Sequence, residues 1–324
     1  QMRARFHREP MIQASELLLQ ERMPRNVAVA QPRAEEVSTS AVEDGTVLPT
    51  VRRIAASAVA GAAPVTHLLS NGRYAVMLTA TGAGYSRWRD TAVTRWREDA
   101  TRDDWGSFIF LRDTRSGQVW SAGAQPVGSE AEYEEVVFGE DHAEFIRRDG
   151  SLTTTMDVLV SGEADGEVRR VSLANSGRRA REIELTSYAE IVLAAPAADN
   201  AHPAFSRMFV QTGHLAEFGA LVATRRPRSH DEKQVWAAHF AVVDGEIVAD
   251  PQYESDRARF LGRGRNAGTA AAILDNQPLT NTTGTVLDPV FALRYRVLVP
   301  PGKVVRVTFW TVVAESRALL RDLM

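Results

Sequence analysis

From Thr66 onward apolar and polar residues alternate on a short period. His67-Leu68-Leu69-Ser70, an Asn71-Gly72 pair and Tyr74-Ala75-Val76-Met77-Leu78-Thr79 read as strand, tight turn and strand, because Asn-Gly supplies the positive φ that a two-residue hairpin needs. Further strand-like runs cover 107–112, 118–121, 133–138, 142–148 and 152–160, separated by Gly and Asp clusters such as Arg148-Asp149-Gly150 and Asp165-Gly166. The segment 168–173 leads through Asn175-Ser176-Gly177 into 181–188 and reads as an antiparallel hairpin. Runs at 218–224, 235–243, 291–299 and 304–313 follow, the last two joined by Pro300-Pro301-Gly302. All are too short and too β-branched for helices.

Many short strands with few helices between them predict a mainly β fold: a large antiparallel β-sandwich of two sheets packed face to face. No repeat of fixed period is visible, which disfavours a propeller. Ahead of the sandwich, Met11, Ile12, Leu17, Leu18 and Leu19 form a short amphipathic helical pattern that stops before Pro24. Residues 26–63 are Ala-, Val- and Glu-rich without sustained period. The expected division is a helical tail of a preceding domain over 1–25, an extended linker over 26–63, the sandwich over 64–314, and the start of a further linker over 315–324. A first residue other than Met and the helix-like Arg317-Ala318-Leu319-Leu320 at the end suggest a module cut from a longer chain.

Composition narrows the chemistry. With 44% hydrophobic residues in 324 the chain can bury a core, and a formal charge of −3 with interspersed signs gives no pull toward nucleic acid or an anionic membrane. The absence of cysteine excludes disulfides, thiolate zinc sites and a cysteine nucleophile. No stretch approaches the roughly 18 consecutive apolar residues of a membrane span, so no direct membrane insertion of this segment is expected. Histidines are scattered without metal-ligand spacing, so no metal is expected. No Gly-x-Ser-x-Gly elbow is present, and Gly82-Ala83-Gly84 lacks the third glycine and following helix of a dinucleotide fingerprint. No cofactor is expected.

The densest unusual stretch runs from Gly84-Tyr85-Ser86-Arg87-Trp88-Arg89-Asp90 through Thr94-Arg95-Trp96-Arg97-Glu98-Asp99 to Trp105, three tryptophans within eighteen positions. Indoles stack on the C–H faces of sugars while Arg and Asp bond the hydroxyls. Tyr85, Arg87, Trp88, Arg89, Asp90, Arg95, Trp96 and Trp105 are therefore the carbohydrate-binding candidates, expected on an exposed loop. The alternative is that the tryptophans fill the sandwich core while Arg and Asp pair along a loop. Gly262-Arg263-Gly264-Arg265-Asn266 is a second loop able to present guanidinium and backbone N–H groups. Carboxylates such as Glu134, Glu135, Asp103 and Asp104 are plentiful, but a glycosidase pair requires a separation that sequence does not give.

These stretches, together with His67 to Tyr74, Glu16-Leu17-Leu18-Leu19-Gln20-Glu21-Arg22-Met23-Pro24, Glu254-Ser255-Asp256-Arg257-Ala258-Arg259-Phe260-Leu261-Gly262-Arg263-Gly264-Arg265 and Gly284-Thr285-Val286-Leu287-Asp288-Pro289, resemble in order the cyclic β-1,2-glucan synthases. The region is similar to the amino-terminal supersandwich, of galactose-mutarotase-like architecture, in the phosphorylases of glycoside hydrolase family 94, formerly glycosyltransferase family 36. The resemblance implies a soluble, non-catalytic carbohydrate-associated module of a large bacterial inner-membrane synthase that polymerises glucose from UDP-glucose, with this module on the cytoplasmic side. It further implies that the catalytic Asp lies on a following helical (α/α)6 barrel, so no catalytic residue is assigned here. The implied partners are a β-1,2-glucan or related glucoside and that barrel. Arg263 and Arg265 would lie at the barrel interface, and a face normally covered by the barrel would permit a homodimer. Three readings stay open: a substrate-positioning module, a structural scaffold for the barrel, and a self-sufficient glycoside-active enzyme.

Overall fold

The computed structural model describes residues 9–11, 51–55, 59, 64–99, 101–227 and 234–324. The helix expected over 11–20 and most of the connector lie outside them. The chain divides into units 1–49 and 50–324, and the second holds two antiparallel sheets.

The nine-stranded sheet runs in the order β1 (Arg52–Ala55), β8 (Tyr133–Phe138), β9 (His142–Asp149), β10 (Leu152–Val160), β11 (Gly166–Asn175), β19 (Val304–Ala314), β15 (Trp236–Asp244), β14 (Ala220–Arg225) and β13 (Val210–Leu215). The ten-stranded sheet follows the path β16 (Glu246–Ile247), β18 (Pro289–Val299), β12 (Arg181–Ala194), β5 (Thr91–Thr94), β4 (Gly84–Trp88), β3 (Tyr74–Thr79) and β2 (Thr66–Ser70). Beside that path β17 (Gln252–Asp256) pairs with β18, and β6 (Phe108–Asp113) joins β12 to β7 (Val119–Ser121). Strand β1 falls inside the stretch read as linker: residues 52–55 form an edge strand in register with 135–138.

Alternating residues of both sheets meet in one core, with Ile109, Leu111, Ile183, Leu185 and Ile191 from one and Phe145, Met156, Val171, Val307 and Phe309 from the other. Strand β6 is buried on both faces because Phe108 and Phe110 meet a second cluster with Phe260, Leu261 and Ile273. Those residues come from α3 (Arg257–Leu261) and α4 (Ala271–Leu274), which cover the outer face of the ten-stranded sheet. On the outer face of the other sheet, α5 (Arg317–Asp322) buries Leu320 against Phe240 and Val312. Ser316 caps that helix, its hydroxyl accepting from the Leu319 N–H.

The hairpin read at Asn71-Gly72 forms, β2 pairing with β3, but its two turn residues are Gly72 and Arg73: the Asn71 N–H donates to Tyr74 O at 3.1 Å, and of the Asn-Gly pair Gly72 alone takes a positive φ. The hairpin expected over 168–188 does not form. β11 pairs with β10 and β19, whereas β12 pairs with β18 and β6 in the opposite sheet. The Pro300-Pro301-Gly302 link likewise joins β18 to β19 across the sandwich. These two links are arches, and they lock together: the Asn175 N–H donates to Lys303 O at 3.1 Å, Gly302 N–H to Asn175 O at 2.7 Å, and the Asn175 amide to Val299 O at 3.0 Å.

Gly84 starts β4 at φ +154°, and an added Cβ would lie 2.0 Å from the Met77 carbonyl oxygen. Gly84→Ala is therefore expected to lower stability by about 2 kcal/mol, read from urea unfolding. An unchanged midpoint would show that β3 and β4 are not held this closely.

Candidate functional site

Strands β4 and β5 form a hairpin whose two-residue turn is Arg89-Asp90, with Trp88 opposite Thr91. Arg89 takes φ +52°, which matches such a turn to the twist of the strands. The expected exposed loop is thus a strand pair, and alternation sends neighbouring side chains to opposite sides.

Trp88 points inward and is only 5% exposed. Its indole N–H donates to Asp165 Oδ2 at 2.7 Å, and Arg73 Nε donates to Oδ1 of the same carboxylate at 2.7 Å. The Arg89 guanidinium covers the ring, 4.7 Å from its centroid, and pairs with Glu315 at 2.5 Å. Trp88 therefore has no free face for a sugar. Trp105 is half-buried and supplies its carbonyl to the Gly84 N–H. Asp90 is exposed and pairs with Arg87 at 3.3 Å.

Tyr85, Arg87, Arg95 and Trp96 converge on a cleft of about 460 Å³. The Tyr85 and Trp96 rings stand 5.8 Å apart and tilted at 57°. The opposite wall is α1 (Pro196–Ala201) and α2 (Pro203–Arg207), each begun by a proline at its first position, where the missing N–H breaks no helical bond. Arg97 and Asn200 supply polar groups at the mouth, Arg97 Nη1 donating to Asn200 Oδ1 and Nη2 to Asp199 at 3.2 Å.

Beneath the cleft lies a buried ion network. Arg95, its side chain fully enclosed, donates Nε and Nη2 to Asp199 at 3.0 and 3.1 Å and Nη1 to Glu190 at 2.7 Å, with Asp288 at 3.5 Å. Arg257 Nε reaches Glu190 at 2.6 Å, Arg207 Nη1 reaches Asp288 at 2.8 Å, and the Tyr188 hydroxyl donates to Glu190 at 3.0 Å. Burial alone would pull the Arg95 pKa down, but the hydrogen bonds and charges of Asp199 and Glu190 outweigh it and hold the guanidinium further above its usual value. Burial pushes the Asp288 carboxyl up, and burial with the Glu190 charge pushes the Tyr188 phenol well up. The network fixes β5, α1, α2 and α3 around the cleft floor. Within it each of the three acids, Glu190, Asp199 and Asp288, is committed to an arginine.

Sequence reasoning missed Arg97, Asp199 and Asn200 in the cleft and Glu190, Arg207, Arg257 and Asp288 below it. One signal was legible: Glu190 stands alone in the apolar run Ala189 to Ala194, where an unpaired charge would not survive burial. Arg263 and Arg265 lie elsewhere, both exposed, on the loop after α3, Arg265 pairing with Asp275 at 2.7 Å. Among the described residues no cluster of acids and histidines is placed to hold a metal, and no helix is long and apolar enough to cross a membrane.

Two opposed antiparallel sheets of nine and ten strands, with short helices folded over their outer faces, define a supersandwich. The chain belongs to the glycosyl hydrolase 94 supersandwich domain family, whose model matches residues 52–324. It is 43% identical over 317 residues to the cyclic beta-(1,2)-glucan synthase NdvB of Rhizobium meliloti, a match covering 98% of this chain and 11% of that protein. It is 26% identical over 250 residues to an N,N'-diacetylchitobiose phosphorylase of Vibrio furnissii, covering 75% of this chain and 30% of the other. Among solved structures, a bacterial glucoamylase complexed with acarbose matches 78% of this chain and 32% of its own at 10% identity and a TM-score of 0.47. The chain thus spans about a tenth of the synthase and under a third of the phosphorylase.

Proposed function

We propose that this domain is a non-catalytic carbohydrate-binding and substrate-positioning module of a cyclic β-1,2-glucan synthase, and that the Tyr85–Trp96 cleft receives one end of the glucan. The cleft carries this reading: two aromatic faces, guanidinium and amide groups at the rim and a volume of about 460 Å³ make a concave site of the size small ligands occupy. Glucosyl C–H faces would rest on Trp96 and Tyr85, with hydroxyls bonded to Arg97 and Asn200. The catalytic residues of the parent enzyme would lie in a following helical barrel, and the parent would sit at the inner membrane with this module on its cytoplasmic side. Similarity to the synthase and to the phosphorylases supports that setting.

A second reading, a scaffold for the barrel, is favoured by one observation. Leu287 is 83% exposed, and Phe205 and Met208 are about half exposed, on segments tied together by the Arg207–Asp288 pair; apolar side chains rimmed by charge suit a domain contact.

Calorimetric titration of the chain with linear β-1,2-glucans separates the two. Trp96→Ala is expected to weaken binding about tenfold, the loss typical of an aromatic anchor. Binding unchanged by that substitution, or no binding by the wild type, would leave the scaffold reading in its place.

A further inference from the structure

At the opposite end of β12 from the cleft, roughly 35 Å along the strand, the turn 114–118 and the 176–180 arch border an open depression of about 590 Å³. Arg115, Arg178 and Arg179 stand exposed along it, and none of the three guanidiniums has a carboxylate partner among the described residues. The one acid in the lining, Asp113, is already committed. Its Oδ1 accepts the Arg115 and Ser116 N–H groups at 2.9 Å, and its Oδ2 takes Arg181. Ser116, Gln118 and Ser151 add neutral hydrogen-bonding groups.

Two loops from different parts of the chain thus hold three uncompensated cations around one hollow, although elsewhere exposed arginines such as Arg73, Arg89, Arg170 and Arg306 are paired with acids. Like charges held together in this way repel one another, and an anion removes that repulsion. Guanidinium forks match the oxygens of phosphate in geometry as well as in charge. We infer that this depression is a phosphate-binding site, independent of the saccharide cleft, for a phosphate group borne by a small anion or by a lipid headgroup.

The test is calorimetry of the full chain with inorganic phosphate and pyrophosphate at low ionic strength, beside co-sedimentation with phosphatidylcholine vesicles with and without phosphatidylglycerol. The R115A/R178A/R179A variant should bind about tenfold more weakly than wild type or worse, while the charge-matched R102A/R263A/R317A variant is unchanged. Its substitutions are all at exposed positions, so the fold should persist, as circular dichroism would verify. Vesicle binding that requires phosphatidylglycerol and is lost in the first variant assigns the phosphate to a lipid; binding of the free anions alone assigns it to a soluble ligand. Equal weakening in the two variants, or no wild-type response to any probe, overturns the site.

Discussion

Replacing Arg95 by Met should destabilise the domain by about 3–5 kcal/mol in urea unfolding at neutral pH, the range observed when one partner of a buried ion network is removed. The side chain is enclosed, and it makes the bidentate bond to Asp199 and a 2.7 Å bond to Glu190. Without it Asp199 keeps Arg97, and Glu190 keeps Arg257 and Tyr188, while both carboxylates stay out of water. Arg95→Lys should also be destabilised, because a single ammonium cannot serve Asp199 bidentately and Glu190 together. A loss below about 1 kcal/mol would show that the acids are solvated or neutral, contrary to the geometry.

The second large effect is set by pH. His239 on β15 is buried between the sheets, its Nε2 2.8 Å from the Ser187 hydroxyl and its Nδ1 3.0 Å from that of Thr311, with Phe291 and Phe309 parallel to its ring. Burial brings its pKa down from 6.5 to about 4, and the charge of nearby Arg169 acts in the same direction. The unfolded chain therefore binds more protons between these values. Stability is fully present above pH 6.5, falls as the pH drops through the window, and has lost about 3 kcal/mol from this group below pH 4. His67 and His214 are lowered by burial too and add in the same sense. Comparing wild type with His239→Gln cancels those contributions: the gap between the two stability curves should shift by about 3 kcal/mol across the window in favour of the variant at the acid end. Parallel curves would mean that the imidazole is already solvated or charged in the folded state.

How far the sequence could be read depended on whether the controlling contact was local. Gly72 supplies the positive φ of its own turn, and 152–160 was bounded correctly because alternation reports one buried face. The partner of β12 is a different matter. Asn175-Ser176-Gly177 has the composition of a hairpin turn, yet bonds from Asn175 to Val299 and Lys303 make it an arch between sheets, and no local pattern records a partner more than a hundred residues away. Trp88 and Trp96 show the same limit within one motif. Eight positions apart, both read as sugar platforms; Trp88, at the end of β4, turns inward onto Asp165, while Trp96, two residues beyond β5, lines the cleft. The α1–α2 wall was invisible for a related reason: Asp199 and Asn200 face the cleft only because Arg95 and Arg97 hold them there.

The assignment of the cleft to glucan is tested most directly by a crystal structure of the chain with a linear β-1,2-glucan. A glucosyl ring is expected against Trp96 and Tyr85, with hydroxyls on Arg97 and Asn200. Glucan bound elsewhere on the sandwich, with the Tyr85–Trp96 cleft empty, would contradict it.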